Sequence, residues 1–265
     1  MEISCTSEAN EFDEAYFKGE TGSAYAVNDY LATALLSRTY FELADLIATC
    51  FKPRRVLEIG CGAGPVIHHL NRYFDVEAFG MDVSTWAVEN RLHENVTLGS
   101  ASNIPFPDRH FDLIFSCHCL EHLPPNSIDE AIAEISRVCD PAGVQVHLLP
   151  ILGEGPYGDV FGSIVGLRQD PTHNILHKRE WWLSRMRKVG WHGSDLRVAM
   201  NHDNHSFEFS DCQFILARND LSAAVSAEIA KWNHAVARNF HHALTRRPPP
   251  GLEVYLNDIK ACWPG

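Results

Sequence analysis

The stretch Val56-Leu57-Glu58-Ile59-Gly60-Cys61-Gly62-Ala63-Gly64-Pro65 decides the fold. An apolar run ends in three glycines at alternate positions, and Pro65 then opens a stretch with helical patterning. A buried parallel strand followed by a tight turn has this pattern, the glycines letting the backbone approach a ligand closely. Pro65 suits a first helical turn, where its missing N–H leaves nothing unpaired. Backbone N–H groups at such a helix start can hold a polar ligand, so the turn predicts a binding edge.

Downstream of this turn the chain alternates short apolar runs with amphipathic stretches. Strands are expected at 55–59, 77–82, 96–99, 111–116 and 144–149, with helices at 65–73, 84–92 and 127–138. Such alternation predicts βαβ units, a parallel sheet and right-handed crossovers. After Pro150 the rhythm breaks, and residues 151–177 are Gly- and Pro-rich without periodicity, too long for an ordinary connection. A helix at 178–189, strands at about 194–200 and 209–217, and a long amphipathic helix over 220–246 complete the expected order. Pro248-Pro249-Pro250 would stop that last helix.

Upstream, residues 1–20 are acidic and polar, and Asp29–Phe51 carries Leu31, Leu35, Leu36, Phe41, Leu43, Leu46 and Ile47 at helical spacing. Tyr16, Phe17, Tyr25, Tyr30 and Tyr40 make this section aromatic, which reads either as packing onto the main domain or as a lid over a ligand. The expected organisation is a helical cap over 1–52, a main domain over 53–218 with 151–177 as an acceptor-covering insertion, and a helical extension over 219–265.

Composition narrows the function. The chain has 265 residues, room for one large α/β domain with additions. With 22 basic against 34 acidic side chains the formal charge is −12, a field that repels a phosphate backbone, so no nucleic-acid partner is expected. No run of 18 apolar residues and no signal-peptide pattern is present, so no membrane partner is expected. Eight scattered cysteines without a CxxC pair read as reduced thiols of a cytoplasmic protein.

The glycine spacing is GxGxG, and Pro65 stands where a dinucleotide fingerprint wants its next glycine. Asp82 ends the second expected strand, where a carboxylate can accept both hydroxyls of a ribose. Its alternative role is to cap the helix that begins near Ser84. Cys117, His118, Cys119 and His122 follow the fourth strand. Their close spacing on a strand-to-helix turn does not converge four ligands on zinc, and no metal is expected. His202, Asp203 and His205 read as a polar hairpin loop, with a metal site as the alternative.

Four segments in register resemble the class I S-adenosylmethionine-dependent methyltransferases. They are Val56–Gly64, Phe79-Gly80-Met81-Asp82-Val83-Ser84, Ile104-Pro105-Phe106-Pro107-Asp108-Arg109-His110-Phe111-Asp112 and Leu120-Glu121-His122-Leu123. The resemblance runs over roughly residues 53 to 217. It implies a Rossmann-like α/β fold with a seven-stranded, mostly parallel sheet of order 3-2-1-4-5-7-6 and helices on both faces. It implies S-adenosylmethionine as the cofactor. Glu58, Gly60, Cys61, Gly62 and Gly64 would surround its methionine part, Asp82 would hold the ribose and Val83 would pack on adenine. Family members often carry Asp at the position of Ser100; here Ser100, Ala101 and Ser102 would meet the adenine, and Ser116 and Cys117 would border the cofactor.

Asp170-Pro171-Thr172-His173 and Trp181-Trp182 resemble a pattern of small-molecule and glycan-modifying members of that family. His173 is the leading candidate for general base, with His122 and His118 next, because a neutral imidazole can take the proton of an attacking hydroxyl or amine. Each of these histidines also has a purely structural reading. Tyr16, Tyr25, Asp170 and Trp182 are the expected acceptor contacts. The resulting expectation is methyl transfer to an oxygen or nitrogen of a small molecule, with a homodimer through the terminal helices as an option. The alternatives are a protein or nucleic-acid methyltransferase, a nicotinamide-dependent oxidoreductase and an inactive cofactor-binding scaffold.

Overall fold

The computed structural model describes residues 11–21, 30–153, 171–199 and 213–238. Tyr25, Asp170 and the His202–His205 cluster lie outside the described residues. The strands are β1 (Arg55–Ile59), β2 (Glu77–Asp82), β3 (Val96–Leu98), β4 (Phe111–Cys117), β5 (Cys139–Leu148), β6 (His192–Gly193) and β7 (Gln213–Ala217). They form one sheet of order β3-β2-β1-β4-β5-β7-β6, in which β7 runs antiparallel to both neighbours. The expected architecture and strand order are therefore present. β1 lies centrally, with Glu58 opposite Gly80 of β2 and Phe115 of β4. A central parallel strand is buried on both faces, and Val56, Leu57 and Ile59 are each sealed from solvent accordingly.

One face of the sheet is covered by α3 (Arg38–Leu46), α4 (Pro65–Tyr73) and α8 (Ala223–Arg238). The other is covered by α6 (Ile128–Val138) and α7 (Arg179–Lys188). In α6, Ile128, Ala131, Ile132, Ile135 and Val138 recur at helical spacing and all are buried. Among the described residues no helix is long and apolar enough to cross a membrane.

Several expected boundaries shift for identifiable reasons. The helical pattern of 29–51 is broken into α2 (Tyr30–Ala34), α3 and a wide π turn over Ile47–Phe51, because Ser37 adopts an extended conformation between the first two. The helix expected at 84–92 is α5 (Thr85–Glu89), capped by the Ser84 hydroxyl, which accepts from Ala87 N. β5 begins five residues before Val144 and carries a register shift against β4.

The strand expected at 194–200 is not formed over the described residues 194–199; β7 pairs instead with the two-residue β6 just before them, and the chain beyond it is held differently. Gln213 Oε1 accepts from Val198 N at 2.8 Å and its Nε2 donates to Val198 O at 2.9 Å. A side-chain amide thus replaces the backbone ladder there.

Candidate active site

The glycine turn leaves β1 at the carboxyl edge of the sheet, the edge where open α/β sheets bind ligands. Gly60, Gly62 and Gly64 all have positive φ, at 71°, 56° and 80°. At Gly60 a Cβ would also meet Cys119 Sγ at 2.5 Å, so the turn after β4 can close on the glycine turn only because this side chain is missing.

The N–H groups of this turn do not point at open space. Gly60 N and Cys61 N donate to Met81 O, Gly62 N to Asp82 Oδ2, Ala63 N to the Tyr30 hydroxyl and Gly64 N to Cys61 O. The expectation that free turn amides hold a polar ligand is corrected here: five consecutive donors are already satisfied within the protein. What remains is acidic. Asp82 ends β2 with Oδ2 on Gly62 N and Oδ1 on Ser84 N, at 2.7 and 2.8 Å, and a carboxylate keeps further acceptor capacity beyond those two bonds. Glu58 is buried on β1, and its Oε2 has no hydrogen-bond partner. Burial pushes both carboxyls above their ordinary range, and the nearby Asp82 charge pushes Glu58 further.

A pocket opens at this edge. Of the residues expected at a cofactor wall, Gly60, Gly62, Asp82, Val83, Ser100 and Ala101 line it. Of the remaining residues expected at that wall, Glu58, Cys61, Gly64, Ser102, Ser116 and Cys117 stand behind the lining. Ser116 is wholly buried and its Oγ lies 2.8 Å from His147 Nδ1 inside the sheet, so a direct cofactor contact by Ser116 is corrected to a structural one. Burial pushes the Cys61, Cys117 and Cys119 thiols up, which removes them as nucleophiles.

The opposite wall is aromatic and apolar. Phe12, Tyr16 and Phe17 come from the N-terminal segment, and Leu123 and Pro124 from the turn after β4. Phe17 stacks on Tyr30 and on Trp86, with centroids 5.2 and 5.0 Å apart. Ser84 Oγ donates to Phe12 O in a short hydrogen bond. The N-terminal section is therefore packed on the domain, and Phe12, Tyr16 and Phe17 form part of the pocket wall.

The chemistry-bearing side chains converge at the end of β4. His118 has φ 51°, a left-handed conformation that a side chain adopts only under constraint, and its N–H donates to Leu148 O of β5 at 2.8 Å. Its Nδ1 lies 3.1 Å from Oε1 of Glu121, a residue with no exposed surface. Burial alone would raise the Glu121 carboxyl, but the His118 hydrogen bond and the two neighbouring imidazoles outweigh it and hold the group below the usual carboxylate range. Acceptance by this carboxylate assigns the His118 proton to Nδ1.

His122, on the 3₁₀ turn Leu120–His122, also lines the pocket, with Nδ1 2.8 Å from the Thr172 hydroxyl and 3.2 Å from its carbonyl oxygen. His173 follows, its ring centroid 4.8 Å from that of His122. The 171–177 segment is fastened to this turn: Asn174 N and Ile175 N both donate to Glu121 O at 2.9 Å, and Asn174 Nδ2 donates to His122 O. Asn174 lines the pocket, while His173 does not.

Trp182 is corrected from an acceptor contact to a core residue. Helical spacing places Trp182 and Met186 on the buried face of α7, and Trp182 has no exposed surface. Its neighbour Trp181 stacks on His177 at 3.9 Å and lies under the Arg185 guanidinium at 3.5 Å, away from the pocket lining. Glu121, Cys119 and Asn174 were missed by sequence reasoning as site residues. The spacing His118-x-x-Glu121 on one turn was a signal for the first.

This sheet order, with a pocket at its carboxyl edge, is a Rossmann-like α/β fold of the kind seen in solved S-adenosylmethionine-dependent methyltransferases. Residues 57–146 match the family model described as "Methyltransferase domain". The chain is 33% identical over 128 residues to ajmaline N-methyltransferase of Rauvolfia serpentina, covering 40% of this chain and 43% of that protein. It is 31% identical over 100 residues to a probable chloroplastic tocopherol O-methyltransferase of Oryza sativa subsp. japonica, covering 34% and 27%. The matches thus span less than half the length of these curated relatives. A crystal structure of a SAM-dependent methyltransferase from Archaeoglobus fulgidus superposes with a TM-score of 0.54 at 18% identity, covering 76% of this chain and 96% of that one, a likeness of fold.

Proposed function

We propose that this chain is an S-adenosylmethionine-dependent methyltransferase acting on an oxygen or nitrogen nucleophile of a small molecule. The observation that carries this reading is the combination of a glycine turn with satisfied amides and two buried carboxyls at its edge. A nicotinamide dinucleotide brings a diphosphate, which needs open N–H donors at a helix start. S-adenosylmethionine brings no phosphate but an ammonium and a sulfonium beside its carboxylate, and an edge carrying Asp82 with Glu58 behind it suits those cations, whose charge favours the ionised carboxylates against the effect of burial. The donor set fits the second and not the first. The family match and the relatives' methyltransferase names support the same choice.

Bound there, the cofactor supplies an electrophilic methyl group on a charged sulfur. Asp82 would hold the ribose hydroxyls with its remaining lone pairs, and Ser100 and Ala101 would border the base. Phe12, Tyr16, Phe17, Leu123 and Pro124 exclude water around the acceptor and keep its nucleophile near attack distance, where most of the rate in such a displacement originates.

His118 is the general base in this reading, in place of His173. Glu121 holds Nδ1–H, so Nε2 carries the lone pair that takes the acceptor's proton as the methyl group is transferred. The free thiols of Cys50, Cys61, Cys117, Cys119 and Cys139 are compatible with a reducing, cytoplasmic setting.

The test is transfer of label from methyl-labelled S-adenosylmethionine to a panel of phenolic and amine acceptors. Labelled product is expected from the wild-type chain. His118→Gln should lower kcat by about 10²-fold or more with cofactor affinity retained. Full turnover by that variant removes His118 as the base.

A further inference from the structure

Glu121, which positions His118, also belongs to a second cluster with His122, at the pocket wall, and His173. We propose that Glu121, His122 and His173 form a binding site for a divalent transition-metal ion of the zinc or manganese type.

The donor atoms of these three residues all lie within 4.8 Å of one another, and Glu121 and His122 are buried. Glu121 Oε1 is 3.9 Å from His122 Nε2. Its other oxygen, Oε2, is sealed from solvent and makes no hydrogen bond. A buried carboxylate oxygen without a partner is costly, and a bound cation is the usual remedy. Among the described residues the ion-pair partners of Glu121 are His118 and His122 alone, with no lysine or arginine to neutralise it.

The surroundings are arranged as an outer layer for such an ion. Thr172 meets His122 Nδ1 through both its hydroxyl, at 2.8 Å, and its carbonyl oxygen, at 3.2 Å, which turns Nε2 toward Glu121; in the tautomer with the proton on Nδ1 the carbonyl accepts it and Nε2 keeps its lone pair. Metal-bound histidines characteristically donate their second ring nitrogen in this way. Asn174 and Ile175 fasten the loop that delivers His173 to the backbone of Glu121 itself. His118 Nδ1 and His122 Nε2 both approach Oε1, at 3.1 and 3.9 Å, while Oε2 makes no hydrogen bond, so the carboxylate keeps acceptor capacity beyond its bond to His118.

Two imidazoles and one carboxylate suit zinc, manganese or iron; magnesium and calcium prefer all-oxygen sets. Metal–ligand bonds of about 2.0–2.2 Å bring tetrahedral donors to roughly 3.4 Å from one another, so donors now within 4.8 Å need to close by at most about 1.4 Å. His122 also lines the pocket, so the ion would stand at its wall and offer an open position to an acceptor oxygen. That last role rests on the proposed function; metal binding itself does not.

The test uses the full chain after chelator treatment, titrated separately with Zn²⁺, Mn²⁺, Co²⁺ and Mg²⁺ by calorimetry, with Co²⁺ also followed by visible absorption. One equivalent of Zn²⁺ or Mn²⁺ should bind in preference to Mg²⁺, with a Co²⁺ spectrum typical of low coordination number. Glu121→Gln and His173→Ala should each weaken binding at least tenfold. His173 is half-exposed on a loop, so its variant remains informative if Glu121→Gln fails to fold. Absence of stoichiometric binding, or binding unchanged in His173→Ala, overturns the proposal. S-adenosylmethionine binding measured on the same samples separates the two claims, since its retention without metal binding overturns only the metal site.

Discussion

His118 Nδ1 lies 3.1 Å from Glu121 Oε1, so a carboxylate sealed inside the protein fixes the tautomer of a partly exposed imidazole at the pocket. The backbone of His118 is at the same time held at φ 51° by the end of β4. Two independent constraints, one on the ring and one on the main chain, converge on a single residue. Strain of this kind persists where surrounding structure over-determines it, and it clusters at working sites.

That strain is measurable. A left-handed conformation costs an L-residue about 1–2 kcal/mol, and glycine is exempt. His118→Gly should therefore be more stable than His118→Ala by about 1 kcal/mol in chemical denaturation. Equal stability of the two variants would mean that the backbone there is relaxed.

The pH dependence of stability has a defined source at His147. Burial pushes its imidazole down to about 3, against an ordinary value near 6.5 in the unfolded chain. Its contribution is complete above pH 6.5 and is lost as pH falls toward 3, because the unfolded chain takes up the proton and the folded one does not. The loss amounts to about 1.4 kcal/mol per pH unit in that window. His69, pushed down to about 3, acts in the same direction, and Asp45, raised by burial to about 6, acts oppositely between about pH 4 and 6. The clean comparison is wild type against His147→Gln: the difference in unfolding free energy should shrink by about 2 kcal/mol or more between pH 6.5 and 4.5. A constant difference over that range would contradict neutral burial of His147.

Tyr30 ties the N-terminal section to the glycine turn by accepting from Ala63 N at 3.0 Å. Tyr30→Phe leaves that buried N–H without its acceptor, at a cost of about 1–3 kcal/mol in stability. The same variant should weaken S-adenosylmethionine binding several-fold, because the turn then lacks its brace. Unchanged thermal stability would show that the contact is dispensable.

Much of this organisation could be read from the chain alone, for physical reasons. β1 and its glycine turn are specified locally: continuous apolar residues, three positions that need positive φ, and a proline that can only begin a helix. Asp82 likewise announces itself by ending β2. The misread elements depend on partners distant in sequence. The strand expected at 194–200 is not formed where Val198 gives its backbone N–H and carbonyl to the Gln213 side chain. Trp182 looks like a binding aromatic, yet its placement follows from which face of α7 meets the core. The turn amides looked available until Tyr30 and Asp82 were found on them. Asn174 reaches the pocket only because its segment folds back on Glu121, a contact that no periodicity encodes.

The central claim is that the acid-lined turn holds S-adenosylmethionine, and calorimetric titration of the purified chain tests it most directly. Saturable one-to-one binding of S-adenosylmethionine is expected, with no comparable binding of NADH. Asp82→Ala should weaken it tenfold or more, a loss of about 1.4 kcal/mol at the least. Tight binding of NADH with none of S-adenosylmethionine, or affinity indifferent to Asp82→Ala, would contradict the account.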